Sequence, residues 1–236
     1  MFLVKYRVFH PILFKILIRK KFLEKDFDSL VRNYSRKNKD FLFVQIGAND
    51  GIKADPIYLY VIKYHWKGIL VEPVKYIFEK LKKNYQGIKG LNFENAGIGK
   101  KDGYNRFYRL KRMEGQNMPL WYDEIGSFVK SNVLKHKDKM KNIEDYLMVD
   151  KVPSLTLISL FKKYKLRKID LLVIDAEGFD YHIVKQIPFK KIKPSIIVYE
   201  SRHLSKAQKK ECLTLLRKNG YSIMELTDTV AFVPIN

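Results

Sequence analysis

Short apolar runs that each stop at a glycine or an acid recur along this chain, with helix-patterned segments between them. Residues 41–46 (FLFVQI) stop at Gly47 and residues 68–71 (GILV) at Glu72-Pro73. Residues 169–174 (IDLLVI) stop at Asp175 and residues 195–199 (SIIVY) at Glu200. Runs this short, without polar alternation, read as strands buried on both faces. Residues 56–64, 74–85, 155–165, 180–187 and 205–219 read as helices. In the second of these, Ile77, Leu81 and Tyr85 share a face. Ser154 is the expected N-cap of the third and Gly220 the C-terminal stop of the last. Residues 91–98 give a third strand, after which a turn at 101–103 lets 106–110 pair back. Residues 221–226 and 229–233 form a closing hairpin. Strands alternating with helices predict an α/β fold: a mostly parallel sheet, helices on both faces, with one antiparallel strand inserted at the end.

Composition narrows the class. The 236 residues are 46% hydrophobic and 30% charged, which excludes a disordered chain and suits one α/β domain with modest additions. The single cysteine, Cys212, excludes an internal disulfide and a Cys-rich zinc site and fits a reducing compartment. The 46 Lys and Arg exceed the 25 Asp and Glu by 21. An excess of that size points to an anionic partner or surface, such as nucleic acid, acidic lipid or a phosphorylated metabolite. Lysine spread over every solvated face is the competing account.

Two stretches stand apart from the alternating pattern. Residues 1–40 carry 11 Lys or Arg against 4 acids, a third of the whole excess. Within them, residues 12–23 place Leu13, Ile16 and Leu17 at helical spacing among Lys15, Arg19, Lys20 and Lys21, with Pro11 near the start. This basic amphipathic extension either lies on an anionic membrane or packs on the domain that follows. Lys5, Arg7, Lys15 and Arg19 interrupt it, and no run approaches the roughly 18 apolar residues of a membrane span. No signal peptide is expected. The expected location is cytoplasmic, peripheral at the inner membrane face if the extension docks there. Residues 111–150 are polar and without period, and read as a substrate-facing insertion in the domain of 41–236. Trp121, Tyr122 and Trp66 are candidates to stack on a ligand face. Phe107 and Tyr108 lie on the strand before the insertion, and Arg106, Arg109 and Arg112 are candidates to grip an anion.

In open parallel sheets ligands sit beyond the carboxyl ends of the strands. The first strand ends in Gln45-Ile46-Gly47-Ala48-Asn49-Asp50-Gly51, a tight turn able to approach a ligand closely. No Gly-Lys-Ser/Thr follows, so it is not a phosphate loop. Glu72 stands about 20 residues on, where an acid suits two ribose hydroxyls; by itself it would only favour a helix N-terminus. Asn95-Ala96-Gly97-Ile98-Gly99 closes the third strand beside them, where an amide could read an adenine edge.

Together VQIGANDG (44–51), LVEP (70–73), NAGIG (95–99), SLTLISLFKKYKLRKIDLLVIDAEG (154–178) and IIVYE (196–200) resemble the FkbM family of S-adenosylmethionine-dependent methyltransferases. The resemblance spans residues 41–233. It implies a Rossmann-like methyltransferase fold with a seven-stranded sheet, and O-methylation, commonly of sugar hydroxyls. It implies that Gly47, Ala48, Asn49 and Gly51 hold the methionine part of the cofactor, with Gln45 and Asp50 beside them. Glu72 and Pro73 would face the ribose, and Asn95 and Ala96 the adenine. Asp175, Glu177 and Gly178 match the family's Ile-Asp-x-Glu-Gly motif near the transferred methyl, where Asp175 would also contact the cofactor. The family often carries Lys two residues before that Asp, where this chain has Val173.

Methyl transfer from a sulfonium is an in-line displacement that depends mostly on positioning. A hydroxyl acceptor also needs a base or a metal. Asp175, Glu177, His182 and His203 are the base candidates; Asp180 would suit its helix N-terminus. Asp175, Glu177 and Glu200 offer carboxylates to a divalent cation, but no histidines stand at metal spacing, so no metal is expected. The leading reading is an O-methyltransferase of a saccharide or glycolipid that releases S-adenosylhomocysteine. A nucleic-acid methyltransferase draws support from the charge, but the Asn/Asp-Pro-Pro-aromatic signature of base amino-methyltransferases is missing and no RNA-binding module is visible. A membrane-associated binding protein without activity is the third reading.

Overall fold

In the computed structural model, the described residues are 24–53, 55–111, 122, 125–138, 140, 142–225 and 228–234. The helix expected over 12–23, the side chains of Trp121 and Arg112 and most of residues 113–124 lie outside them. Among the described residues no helix is long and apolar enough to cross a membrane.

The strands of the main sheet are β1 (Leu42–Ile46), β2 (Lys67–Val71), β3 (Leu91–Glu94), β8 (Leu171–Ile174), β9 (Ile196–Tyr199), β10 (Ser222–Glu225) and β11 (Thr229–Phe232). They lie in the order β10-β11-β9-β8-β1-β2-β3. Six are mutually parallel; β11 runs against both neighbours. This is the seven-stranded, mostly parallel sheet with a terminal antiparallel insertion that the sequence predicts. β1 pairs with β2 on one side and β8 on the other, Gln45 standing opposite both Leu70 and Val173. Chain order reverses at β1, so a crevice opens where β1 and β8 end.

The central strands β1, β2, β8 and β9 are buried on both faces, which is why they read as continuous apolar runs. Val44, Ile46, Ile69, Val71, Leu172, Ile174 and Ile197 point to one side. They pack on α5 (Leu157–Lys163), α6 (Asp180–Val184) and α7 (Lys206–Lys218). Phe43, Leu70, Leu171, Val173, Ile196 and Val198 point to the other. There they meet α1 (Glu24–Lys37), α2 (Tyr58–Tyr64) and α3 (Lys75–Asn84). Val31 and Tyr34 of α1 are buried in that layer, and Ser35 accepts the Trp66 indole N–H at 3.0 Å. The packed body thus includes α1, ahead of the boundary at 41 that the sequence suggests.

A second sheet, made of β4 (Gly97–Ile98), β7 (Leu147–Leu155), β5 (Gly103–Leu110) and β6 (Gly126–Ser127) in that order, departs from the expectation. The strand expected over 91–98 breaks at Asn95-Ala96, and β4 (Gly97–Ile98) leaves the main sheet to pair with β7 (Leu147–Leu155). β5 (Gly103–Leu110) does not fold back on 91–98; it pairs along its whole length with β7 and briefly with β6 (Gly126–Ser127). The region 111–150 therefore adds strand residues and α4 (Lys130–Leu134) to this sheet instead of forming a bare loop. β7 starts at Leu147, ahead of Pro153 where the sequence places the return to the regular pattern. Pro153 sits inside β7, where β4 reaches only Ser154 and Leu155, so its missing N–H is tolerated at an edge. Ser154 belongs to the strand, and the cap of α5 is Thr156, whose side chain accepts the Ser159 amide. Asp102 reinforces that cap by accepting from the Thr156 amide and the Ser159 hydroxyl, each at 2.6 Å.

Candidate active site

The turn after β1 is built by hydrogen bonds that fix its shape. The amides of Gly47 and Ala48 both donate to the Val71 carbonyl at 3.0 Å, and Gly51 N–H donates to Ala48 at 2.9 Å. Gly47 has φ +75, and a Cβ there would lie 1.8 Å from the Asp175 carbonyl oxygen. Only glycine lets the β1 turn pass so close to the end of β8. Asp50 caps the turn, its carboxylate accepting from the amides of Ile52 and Lys53. Gln45 donates to Asp55 at 2.7 Å, and the Ala48 side chain is buried.

Glu72 ties the turn to the end of β2. Its two carboxylate oxygens accept the amides of Asn49 at 3.0 Å and Val74 at 2.8 Å. Burial, aided by Asp50, raises its carboxyl to about 7, although both backbone amides pull the other way. Asn95 spends its side-chain N–H groups on the carbonyls of Glu72 and Pro73, which leaves its oxygen as the group able to read a ligand edge. Ala96 is buried.

Beyond β8 and β9 the chain gathers acids, histidines and two cations. Asp175 is exposed, with many protein atoms around it. That surround and the carboxylates of Glu200, Glu177 and Asp180 hold its carboxyl well above the usual range. Glu177 has φ 48, a left-handed value that costs a non-glycine residue about 1–2 kcal/mol. Its side chain is held among histidines, with Oε2 3.6 Å from His203 Nε2 and 3.9 Å from His136 Nε2. Glu200, 4% exposed, pairs with Arg202 and stands 3.4 Å from His203 Nε2. Lys135 is half-buried; loss of water lowers its ammonium pKa, against the attraction of Glu177 and Glu200. Asp180 is fully buried and accepts the amides of Gly178 at 3.1 Å and Glu200 at 3.3 Å. It thus fastens the two strand-end loops together, beyond the helix-terminus role expected of it.

The structure thus brings Asp175, Glu177 and His203 together and leaves His182 out. The His182 ring packs on Phe179 and Tyr181, and burial, Lys100 and Lys185 push its pKa down. The stacking candidates fare differently from expectation. Trp66 is buried and stacks on Phe41 with centroids 4.2 Å apart. Tyr122 is buried with Leu110, Ile125 and Val133, its hydroxyl donating to the Lys111 carbonyl. Phe107 is core, and Arg109 pairs with Asp150 over the Tyr76 ring. Sequence reasoning missed His136, Lys135 and Arg202. His136, lone within LKHKDK, gave no spacing signal.

Comparison with known families decides the assignment: a model described as the methyltransferase FkbM domain matches residues 45–223. The chain belongs to the FkbM methyltransferase family. The FkbM domain, that of S-adenosylmethionine-dependent methyltransferases, covers the β1 turn, Glu72 and the whole strand-end cluster. No curated protein matches the chain. Among solved structures, a methyltransferase FkbM from Methylobacillus flagellatus KT is 12% identical with a TM-score of 0.49, over 82% of this chain and 44% of that one. The chain therefore spans less than half the length of that relative. A precorrin-6y C5,15-methyltransferase from Geobacter metallireducens GS-15 is 9% identical (TM-score 0.43, 87% of each chain). The Aeropyrum pernix fibrillarin, in complex with natively bound S-adenosyl-L-methionine, is 8% identical (TM-score 0.40, 84% of this chain and 67% of that one).

Proposed function

We propose that this FkbM protein transfers a methyl group from S-adenosylmethionine to a hydroxyl of a saccharide or glycolipid acceptor. The observation that carries the reading is the contact between Gly47 and Asp175, which sets a glycine turn directly against a cluster of acids and histidines. The residues present suit the cofactor. Each Glu72 oxygen takes one backbone amide and retains an acceptor position, as a ribose diol requires. When bound, S-adenosylmethionine supplies an electrophilic methyl on a sulfonium. Asp175, the exposed carboxylate of the cluster, takes the hydroxyl proton as the acceptor oxygen bonds to the methyl carbon. The C–S bond breaks with its electron pair left on sulfur, giving S-adenosylhomocysteine. The saccharide part of the proposal follows the family resemblance, and the acid-rich strand ends favour it over a polyanionic substrate.

The test is release of S-adenosylhomocysteine by the purified full chain with panels of saccharides, glycolipid precursors and RNA. Turnover confined to hydroxyl-bearing saccharide acceptors is expected. Turnover on RNA alone would overturn the acceptor class.

A further inference from the structure

His136, Glu177 and His203 come from three separate stretches of chain. His136 lies in the single helical turn of 135–138 after α4, Glu177 in the loop leaving β8, and His203 in the loop between β9 and α7. Nevertheless one ligand atom from each falls within 4.8 Å of the others. All three side chains are mostly withdrawn from solvent, at 10%, 13% and 16% exposure. Both imidazoles present Nε2 toward the same Glu177 oxygen, at 3.9 and 3.6 Å, beyond hydrogen-bond range. A cation with bonds of about 2.1 Å spaces its ligands roughly 3.0–3.4 Å apart, so the rearrangement needed is a fraction of an ångström for these two pairs. Asp175, Glu177 and Glu200 form a second set of the same kind, sharing Glu177.

The charge around these residues points the same way. Asp175, Glu177, Asp180, Glu200 and Asp228 act on one another, with Lys135 and Arg202 as the cations among them. A divalent cation would offset the remaining negative excess.

We propose that His136, Glu177 and His203 bind one divalent first-row transition-metal ion, with Glu200 beside it. Two imidazoles and a carboxylate without sulfur suit Zn²⁺, Co²⁺ or Mn²⁺ rather than Mg²⁺ or Ca²⁺. Beside Asp175, such an ion would hold and polarise the acceptor hydroxyl whose proton Asp175 takes. That role rests on the methyl-transfer reading; the binding itself does not.

The test is calorimetric titration of the full chain, stripped with chelator, with Zn²⁺, Co²⁺ and Mg²⁺, plus visible absorption of the Co²⁺ sample. Wild type should take up one equivalent of Zn²⁺, show Co²⁺ ligand-field bands and bind Mg²⁺ at least 100-fold more weakly. His136→Ala and His203→Ala should each weaken Zn²⁺ binding at least tenfold, while His65→Asn, on the exposed end of α2, should match wild type. Circular dichroism confirms that each variant is folded. Zn²⁺ binding unchanged in both single variants overturns the site. So does a wild-type chain that binds neither Zn²⁺ nor Co²⁺, whatever the variants do. Titration of the same samples with S-adenosylmethionine separates the two proposals. A chain that binds the cofactor but no Zn²⁺ overturns the ion site alone, and one that binds Zn²⁺ but no cofactor keeps the ion site and overturns the methyl-transfer reading.

Discussion

Gly47 and Asp175 touch through backbone alone: the carbonyl of Asp175 occupies the place a Cβ on Gly47 would take, 1.8 Å away. Gly47→Ala must therefore push β1 and β8 apart at their carboxyl ends, at an unfavourable φ of +75 as well. The expected loss is about 2 kcal/mol or more of stability in urea denaturation, with at least tenfold weaker binding of S-adenosylmethionine. A Gly47→Ala protein as stable as wild type would show that the two strand ends are not locked.

Glu72 gives the proposed cofactor binding a pH dependence. Its carboxyl sits at about 7 in the free protein, and ribose hydroxyls donating to it favour the ionised form. Binding at pH 6 must first remove a proton, so affinity should rise about tenfold from pH 6 to pH 8. Calorimetry on wild type and Glu72→Gln tests this. The variant should bind weakly at both pH values and lose the dependence.

The same carboxyl shapes stability. Its folded value of about 7 lies above the ordinary 4.5, so the native state holds its proton where the unfolded chain has lost it. Its contribution is most favourable below pH 4.5. It declines by about 3 kcal/mol as pH rises to about 7, then stays level. Denaturant melts at pH 5 and pH 8 should show wild type losing stability relative to Glu72→Gln over that interval. A constant difference between the two proteins would remove the buried-carboxyl account.

Asp175→Asn and Glu177→Gln separate binding from chemistry. Both should keep S-adenosylmethionine affinity within about threefold and lose at least roughly 100-fold in turnover, the scale of a lost proton acceptor or its support. Full turnover in both variants would move the proton transfer elsewhere in the cluster.

The centre of the main sheet was legible because β1, β2, β8 and β9 are mostly apolar runs whose ends carry Gly47, Glu72, Asp175 and Glu200, residues that cannot continue such a run. The second sheet was not. β5 pairs with β7 at separations of 37 to 51 residues, β7 contains Pro153, and no local period announces a pairing fixed by tertiary contacts. His136 reaches the site through that same region, so the candidate site was legible only as far as its strand-end members. Trp66 and Tyr122 were misplaced because an aromatic in a sequence does not say whether its ring will meet a ligand or the core.

Asp180 holds the amides of Gly178 and Glu200 with its two oxygens, so the loops after β8 and β9 share one buried anchor. Neither loop can drift in position without the other. Acceptor preference should therefore diversify among relatives through the elements laid over this pair, while the paired loops keep their placement relative to each other.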